Sequence, residues 1–200
     1  MTQDDPRITR LAQVLRHRPA LPAERDATTQ EAAVALLLRP REELELLLIK
    51  RAEHESDPWS GHMALPGGRR APPDADLLAT AMREAREEIG IDTSAADRLG
   101  ALDEVHPRSV RLPPIVIAPF VLVVPPHATA RPHPAEVEAA LWVPLRALAD
   151  EGAADQLILE LEGARRTFPA YRYGEYVIWG LTHRILEQFL AVARDAGVLS

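Results

Sequence analysis

The sequence predicts an α+β fold, a mixed β-sheet with helices packed on it. Three observations lead there. Apolar runs of strand length recur along the chain. Segments of helical periodicity interrupt them without a regular strand–helix–strand rhythm. No internal repeat is present.

Two hundred residues suit one domain with short extensions. Residues 1–28 are read as an N-terminal helix and linker, and 29–200 as the main domain with a C-terminal helix. Ile8, Leu11, Val14 and Leu15 stand at helical spacing and predict a helix over 7–17. Ala32–Leu38 and Leu44–Lys50 are apolar runs flanking Arg39–Glu43 and predict a strand pair. Residues 51–73, rich in Pro, Gly and charge, predict a long functional loop. Leu77, Leu78, Ala81, Ala85 and Ile89 form an apolar stripe that Gly90 would end. Leu99–Val105 and Ile115–Val124 predict strands, the second at an edge or bulged because Pro119 interrupts it. Leu141–Val143 predicts a short strand and Leu145–Asp150 a small helix. Gln156–Leu161 and Arg166–Tyr173 read as strands or irregular chain. Val177–Ala193 predicts the last helix, with Trp179 on its apolar side.

Composition excludes several classes of function. A formal charge of −7 disfavours non-specific nucleic-acid binding, which needs clustered Lys and Arg. With no cysteine there is no disulfide, thiolate nucleophile or Cys-type zinc site. The polar stretch Met1–Arg10 lacks the apolar region of a signal peptide, and no apolar run approaches the roughly 20 residues that span a bilayer. A cytoplasmic protein with neither membrane nor nucleic-acid partner is expected.

The chemistry concentrates in Leu65-Pro66-Gly67-Gly68 and in Arg83-Glu84-Ala85-Arg86-Glu87-Glu88-Ile89-Gly90-Ile91. Glu84, Glu87 and Glu88 stand at i, i+3 and i+4, which puts them near one helix face. Three like charges there repel, and a hard cation reverses the sign of that interaction. A solvated face balanced by Arg83 and Arg86 would give the same spacing. The upstream Gly-Gly turn and the closing Gly90 favour the metal.

These residues resemble the Nudix signature, whose second half, Arg-Glu-aliphatic-x-Glu-Glu-x-Gly-aliphatic, is matched by 83–91. The first half departs by one extra residue between Gly68 and Arg83, with Asp74 taking the place of the usual acid. The resemblance implies a Nudix fold, an α/β/α sandwich, and metal-assisted attack of water on a diphosphate. It implies Mg²⁺, with Mn²⁺ as a substitute, held by Glu84, Glu87 and Glu88. Glu88, Glu87 and Arg83 become the catalytic positions, with Arg83 holding the loop by pairing with an acid such as Asp74. Gly67 and Gly68 let the backbone turn tightly beside the substrate. Arg51 and Arg69, with Arg70 beside them, are candidate phosphate ligands. Glu104 and Glu136 are candidates for the general base besides Glu88 itself.

Three segments resemble the coenzyme A pyrophosphatase branch of that family: Leu47–Arg51 followed by Gly61–Gly68, the longer spacing that ends in Thr80–Ala85, and Val177–Thr182. Ala52 and His62 depart from that pattern. The branch implies cleavage of coenzyme A to 3′-phospho-AMP and 4′-phosphopantetheine. Trp59, in the loop before Gly61, would stack on the substrate or anchor the loop. The alternatives are another nucleoside diphosphate derivative (ADP-ribose, NADH or an oxidised dNTP) and a non-catalytic nucleotide sensor. The partner expected is a small nucleotide, and since many relatives dimerise, a second copy of the chain.

Overall fold

The computed structural model describes residues 5–53, 60–107, 114–161 and 163–199. Helix α1 (Pro6–His17) leads through the linker to β1 (Gln30–Pro40) and β2 (Leu44–Arg51). Then follow β3 (Met63–Ala64), β4 (Gly67–Arg69), α2 (Leu77–Ile89), β5 (Asp97–Ala101), β6 (Ile115–Val123) and β7 (Val137–Pro144). The chain closes with α3 (Leu145–Ala149), β8 (Ala154–Leu161), β9 (Ala164–Tyr173), β10 (Tyr176–Trp179) and α4 (Gly180–Asp195). No helix among the described residues is long and apolar enough to cross a membrane.

Strand β1 organises a seven-stranded mixed sheet. One edge runs parallel to β6, from Gln30 opposite Ile115 to Leu38 opposite Val123. The other edge is shared, with Ala32–Val34 antiparallel to β4 and Leu38–Pro40 antiparallel to β2. Alternation along the strands divides the core between two faces. Leu36, Leu38, Leu46, Leu48, Val121 and Val123 join Ile8, Leu11, Leu15, Leu186 and Phe189, so α1 and α4 cover one face. Ala33, Ala35, Leu37, Leu47 and Ile49 join Ala81, Ala85 and Ile89, so α2 covers the other. The result is the layered α/β/α arrangement expected.

Small residues on both sides of the α2 interface, Ala33 and Ala35 below and Ala81 and Ala85 above, are all fully buried. With little side chain between them, helix and sheet approach closely, and the carboxylates of α2 meet the backbone of β4.

The structure corrects several expectations. The stretch 51–73 contains β3 and β4, with Ile49 opposite Ala64 and Val34 opposite Gly67. Strand β6 is interior, between β1 and β5. Pro119 is tolerated there because its carbonyl accepts from Leu102 N at 3.0 Å, which points its missing donor toward the β5 side. On that side β5 ends at Ala101 and pairing resumes only as the Val105–Ile117 bridge. Segments 154–161 and 164–173 are strands of a separate three-stranded sheet, β10-β9-β8. The last helix begins at Gly180. Tyr176–Trp179, rich in β-formers, pairs instead with Ala170–Tyr173, and Gly180 (φ +66°) makes the turn into the helix.

Candidate active site

Helix α2 is capped at both ends. The Asp76 carboxylate accepts from Ala79 N at 2.8 Å, and Gly90 (φ +61°) ends the helix in the left-handed conformation. The last carbonyls are taken up by the Pro-rich connection: Glu88 O accepts from His133 N and Ile89 O from Arg131 N, each at 2.7 Å. That docking, with Ala52 N donating to Glu136 O at 2.9 Å, carries Glu136 toward the helix from a distant part of the chain.

Arg83 is the hub on the loop side. Its Nε and Nη2 bind Asp74 Oδ1 and Oδ2 at 2.9 and 3.0 Å, a bidentate fork. Nη2 also donates to Arg69 O at 3.0 Å. Nη1 lies 2.8 Å from both Glu84 Oε1 and Glu87 Oε2. Asp74 also accepts from Ala71 N at 2.8 Å and from the buried hydroxyl of Thr80 at 3.0 Å. Arg83 and these donors hold the Asp74 carboxyl well below the usual carboxylate range.

The two glycines earn their place through contact. A Cβ at Gly67 would lie 2.3 Å from Ala33 O, inside the β1–β4 pairing. A Cβ at Gly68 would lie 2.5 Å from Glu84 Cδ. Only a bare backbone can run this close over the carboxylate.

The structure divides the glutamate triplet. Glu87 is exposed and turned to Arg83. Glu84 is half-buried. Glu88 is 3% exposed, with Oε2 accepting from Gly67 N at 2.9 Å and Oε1 3.9 Å from Arg51 Nη1. The register of β2 against β7 shifts between Lys50 and Arg51, beside the residue that faces Glu88. Burial pushes the Glu88 carboxyl up to about 8, against the Gly67 amide and Arg51; the charges of Glu84 and Glu136 add to the rise. Burial also raises Glu84, against Arg83, and Glu87 and Glu136 push the same way. The two carboxyls resist being ionised together in this partly buried place.

Among the described residues no three acidic or histidine side chains form a ready metal cage. The donor set nevertheless fits a hard divalent ion. Mg²⁺ is typically held by one or two carboxylates and completes its shell with water and substrate phosphate. Glu84 and Glu88 offer those oxygens, and burial raises both carboxyls despite Arg83 and Arg51, so a cation would favour their ionised form.

The remaining expected residues are placed unevenly. Glu136 acts electrostatically on both Glu84 and Glu88. Glu104 does not join them: its Oε2 is taken by Ala23 N at 2.8 Å and by Arg25. The Arg69 side chain is exposed on β4, while its carbonyl serves Arg83. Arg70 is engaged by Glu31. Trp59 lies outside the described residues. Trp179 is the last residue of β10, not a helix residue, and its ring stands 4.9 Å from that of His62 and 5.4 Å from that of Phe168. Thr80 was missed, although a hydroxyl interrupting an apolar helix stripe is a readable signal.

Comparison with known proteins agrees with this geometry. The model of the NUDIX domain family matches residues 28–161. A protein of Photorhabdus laumondii named as an uncharacterized Nudix hydrolase, NudL, is 31% identical over 170 residues, covering 85% of this chain and 88% of that one. The Schizosaccharomyces pombe protein C14C4.10c is 36% identical over 131 residues, 63% of this chain, and the match spans only 40% of that relative's length. The crystal structure of a MutT/nudix family protein from Enterococcus faecalis superposes with a TM-score of 0.54 at 20% identity, over 90% of this chain and 67% of that one, a likeness of fold. Matched over more than half its length by the family model and over most of it by a named member, the chain belongs to the Nudix family and is a hydrolase of nucleoside diphosphate-linked anhydrides.

Proposed function

We propose that this hydrolase uses Mg²⁺, with Mn²⁺ as a substitute, to cleave the diphosphate of coenzyme A or its derivatives into 3′-phospho-AMP and 4′-phosphopantetheine. One observation carries the choice of substrate. Two segments that resemble the coenzyme A pyrophosphatase branch, 61–68 and 177–182, are far apart in sequence yet meet. The Trp179 ring packs edge-on to His62, and Thr182 Oγ1 donates to Met63 O at 3.1 Å. Arg51 N in turn donates to His62 O at 3.0 Å. The aromatic pair therefore adjoins the residue whose guanidinium approaches Glu88, a fitting place for the organic group beyond the diphosphate.

The residues divide the work as follows. Glu84 and Glu88 hold the cation, and Arg83 restrains Glu84 and the loop. When bound, the ion supplies charge neutralisation at the diphosphate oxygens and makes water more acidic. Arg51, which faces Glu88, grips a phosphate oxygen. Glu136 takes the proton of the attacking water, whose oxygen bonds to phosphorus as the bridging P–O bond breaks. The leaving phosphate keeps the bridging oxygen.

The test is Mg²⁺-dependent hydrolysis of coenzyme A, acetyl-CoA, ADP-ribose, NADH and 8-oxo-dGTP, with products identified by mass. Preferential release of 3′-phospho-AMP from coenzyme A is expected. Preferential cleavage of another member would overturn the substrate and leave the hydrolase standing. Ligand binding without any turnover would favour a sensor.

A further inference from the structure

Resting on the metal site described above and not on the coenzyme A reading, we propose that Arg70, Glu31 and Arg25 are positioning residues for the metal-holding carboxylates. The N-terminal linker thereby becomes a working part of the active site, although none of the three residues stands at a fixed position of the signature.

The connection is continuous. Arg25 Nη1 binds Glu31 Oε1 at 2.7 Å, and Arg70 Nη1 binds Glu31 Oε2 at 2.9 Å, so each oxygen of Glu31 serves one arginine. Arg70 N also donates to Glu31 O at 2.9 Å. Arg70 Nη2 reaches Ala75 O at 3.2 Å and Asp74 O at 3.5 Å. This guanidinium therefore ties the start of β1 to the loop that carries Asp74. Asp74 grips Arg83, and Arg83 holds Glu84 and Glu87. At the other end Arg25 also pairs with Glu104, whose carboxylate caps Ala23 N at 2.8 Å in the linker. Glu104 acts as the anchor of this chain of contacts.

Exposed ion pairs taken singly add little stability. Their worth in series is geometric: Arg70 fixes the carbonyls of Asp74 and Ala75, and with them the direction of the Asp74 carboxylate. A small displacement of a group that positions the reacting atoms costs rate more than stability. A direct phosphate ligand at Arg70 would behave differently, because its loss would fall on KM.

Two readouts separate these roles. Mn²⁺ affinity is measured by electron paramagnetic resonance without substrate, and kcat and KM with whichever diphosphate the wild type cleaves. Arg70→Ala and Glu31→Gln should weaken Mn²⁺ binding and lower kcat by about 3–10-fold, somewhat less than loss of a group touching the ligands themselves. KM should stay within about two-fold and Tm within a few degrees, on the order expected for surface pairs. Arg25→Ala should act in the same direction more weakly. Arg70→Lys should recover part of the loss, since an ammonium replaces one contact but not the fork. Unchanged Mn²⁺ affinity and kcat in Arg70→Ala and Glu31→Gln would overturn the proposal. So would a change confined to KM. Because the Mn²⁺ titration needs no substrate, a wrong choice of substrate cannot imitate either outcome.

Discussion

Replacing Glu88 by Gln should make the metal-free protein more stable and the enzyme nearly inactive. Glu88 is 3% exposed, and its carboxyl is pushed from 4.5 up to about 8 by burial. Between those values the folded protein keeps a proton that the unfolded chain has released. Stability is then fully present below about 4.5 and is lost as pH rises through the folded value. At pH 7 the difference amounts to about 2.5 pH units at 1.36 kcal/mol each, an upper figure of about 3 kcal/mol. Allowing for relaxation of the site, about 1–3 kcal/mol is a reasonable range. Gln carries no charge and keeps an oxygen for the Gly67 amide, so Glu88→Gln should recover that amount. For a chain of this size the expected rise in Tm is about 3–10 °C. Thermal unfolding from pH 4.5 to 8.5 in EDTA reads the gap, which should be widest at high pH and nearly close by pH 4.5. Added Mg²⁺ should raise the wild-type Tm and leave the variant almost unmoved, while kcat falls by about 100-fold or more for loss of a charged ligand. A Glu88→Gln protein less stable than wild type at pH 7.5 in EDTA would refute the account of the buried charge. Near-wild-type turnover at saturating Mg²⁺ would refute the site.

Gly68→Ala puts a methyl group 2.5 Å from Glu84 Cδ, so that carboxylate must move; kcat and Mn²⁺ affinity should drop by about 10–100-fold, and wild-type values for both would show that Glu84 has no fixed position to lose. Asp74→Asn removes the charged half of the Arg83 fork and should cut kcat by about 10-fold or more. Because Asp74 is held well below its ordinary value, its contribution to stability is present above that value and lost only in strong acid. The Tm gap between wild type and Asp74→Asn should therefore stay level from pH 8 to pH 5, and a gap that closes within that range would contradict the strength of the pairing. Trp179→Leu should raise KM for coenzyme A by about 3–10-fold with little change in kcat, on the scale of one aromatic contact; an unchanged KM would leave the ring a packing role against His62 and Phe168.

Much of the fold was written in patterns that local physics obeys. The apolar runs of β1 and β2, the stripe of α2 and its stop at Gly90 all appear where the sequence puts them. What sequence could not supply were contacts between distant segments. Val177–Trp179 satisfies a helical stripe, but its backbone is claimed by β9. Pro119 sits in an interior strand because β5 ends opposite it, and no local rule announces where a partner ends. Glu136 comes near enough to act on the carboxylates through its charge because the backbone at Arg131 and His133 caps the end of α2. The pairing of Arg83 with Asp74 was legible from the signature and its extra residue. The extension of that pairing to Arg70, Glu31 and Arg25 was not.

The division between Glu87 and Glu88 is instructive because the sequence does contain it. At about 100° per residue, Glu88 stands about 20° from Ala81 around the axis of α2, whereas Glu87 stands about 120° away. Ala81 and Ala85 face the sheet and are fully buried, so the same rotation that hides them takes Glu88 under the Gly67 backbone and leaves Glu87 in solvent. Spacing alone says that three carboxylates share a neighbourhood. The phase of that spacing relative to the alanines says which one is buried and therefore has most to gain from a cation. A carboxylate buried on the same side as those alanines resists ionisation by itself, and the stability it forgoes at neutral pH is what a bound cation would restore.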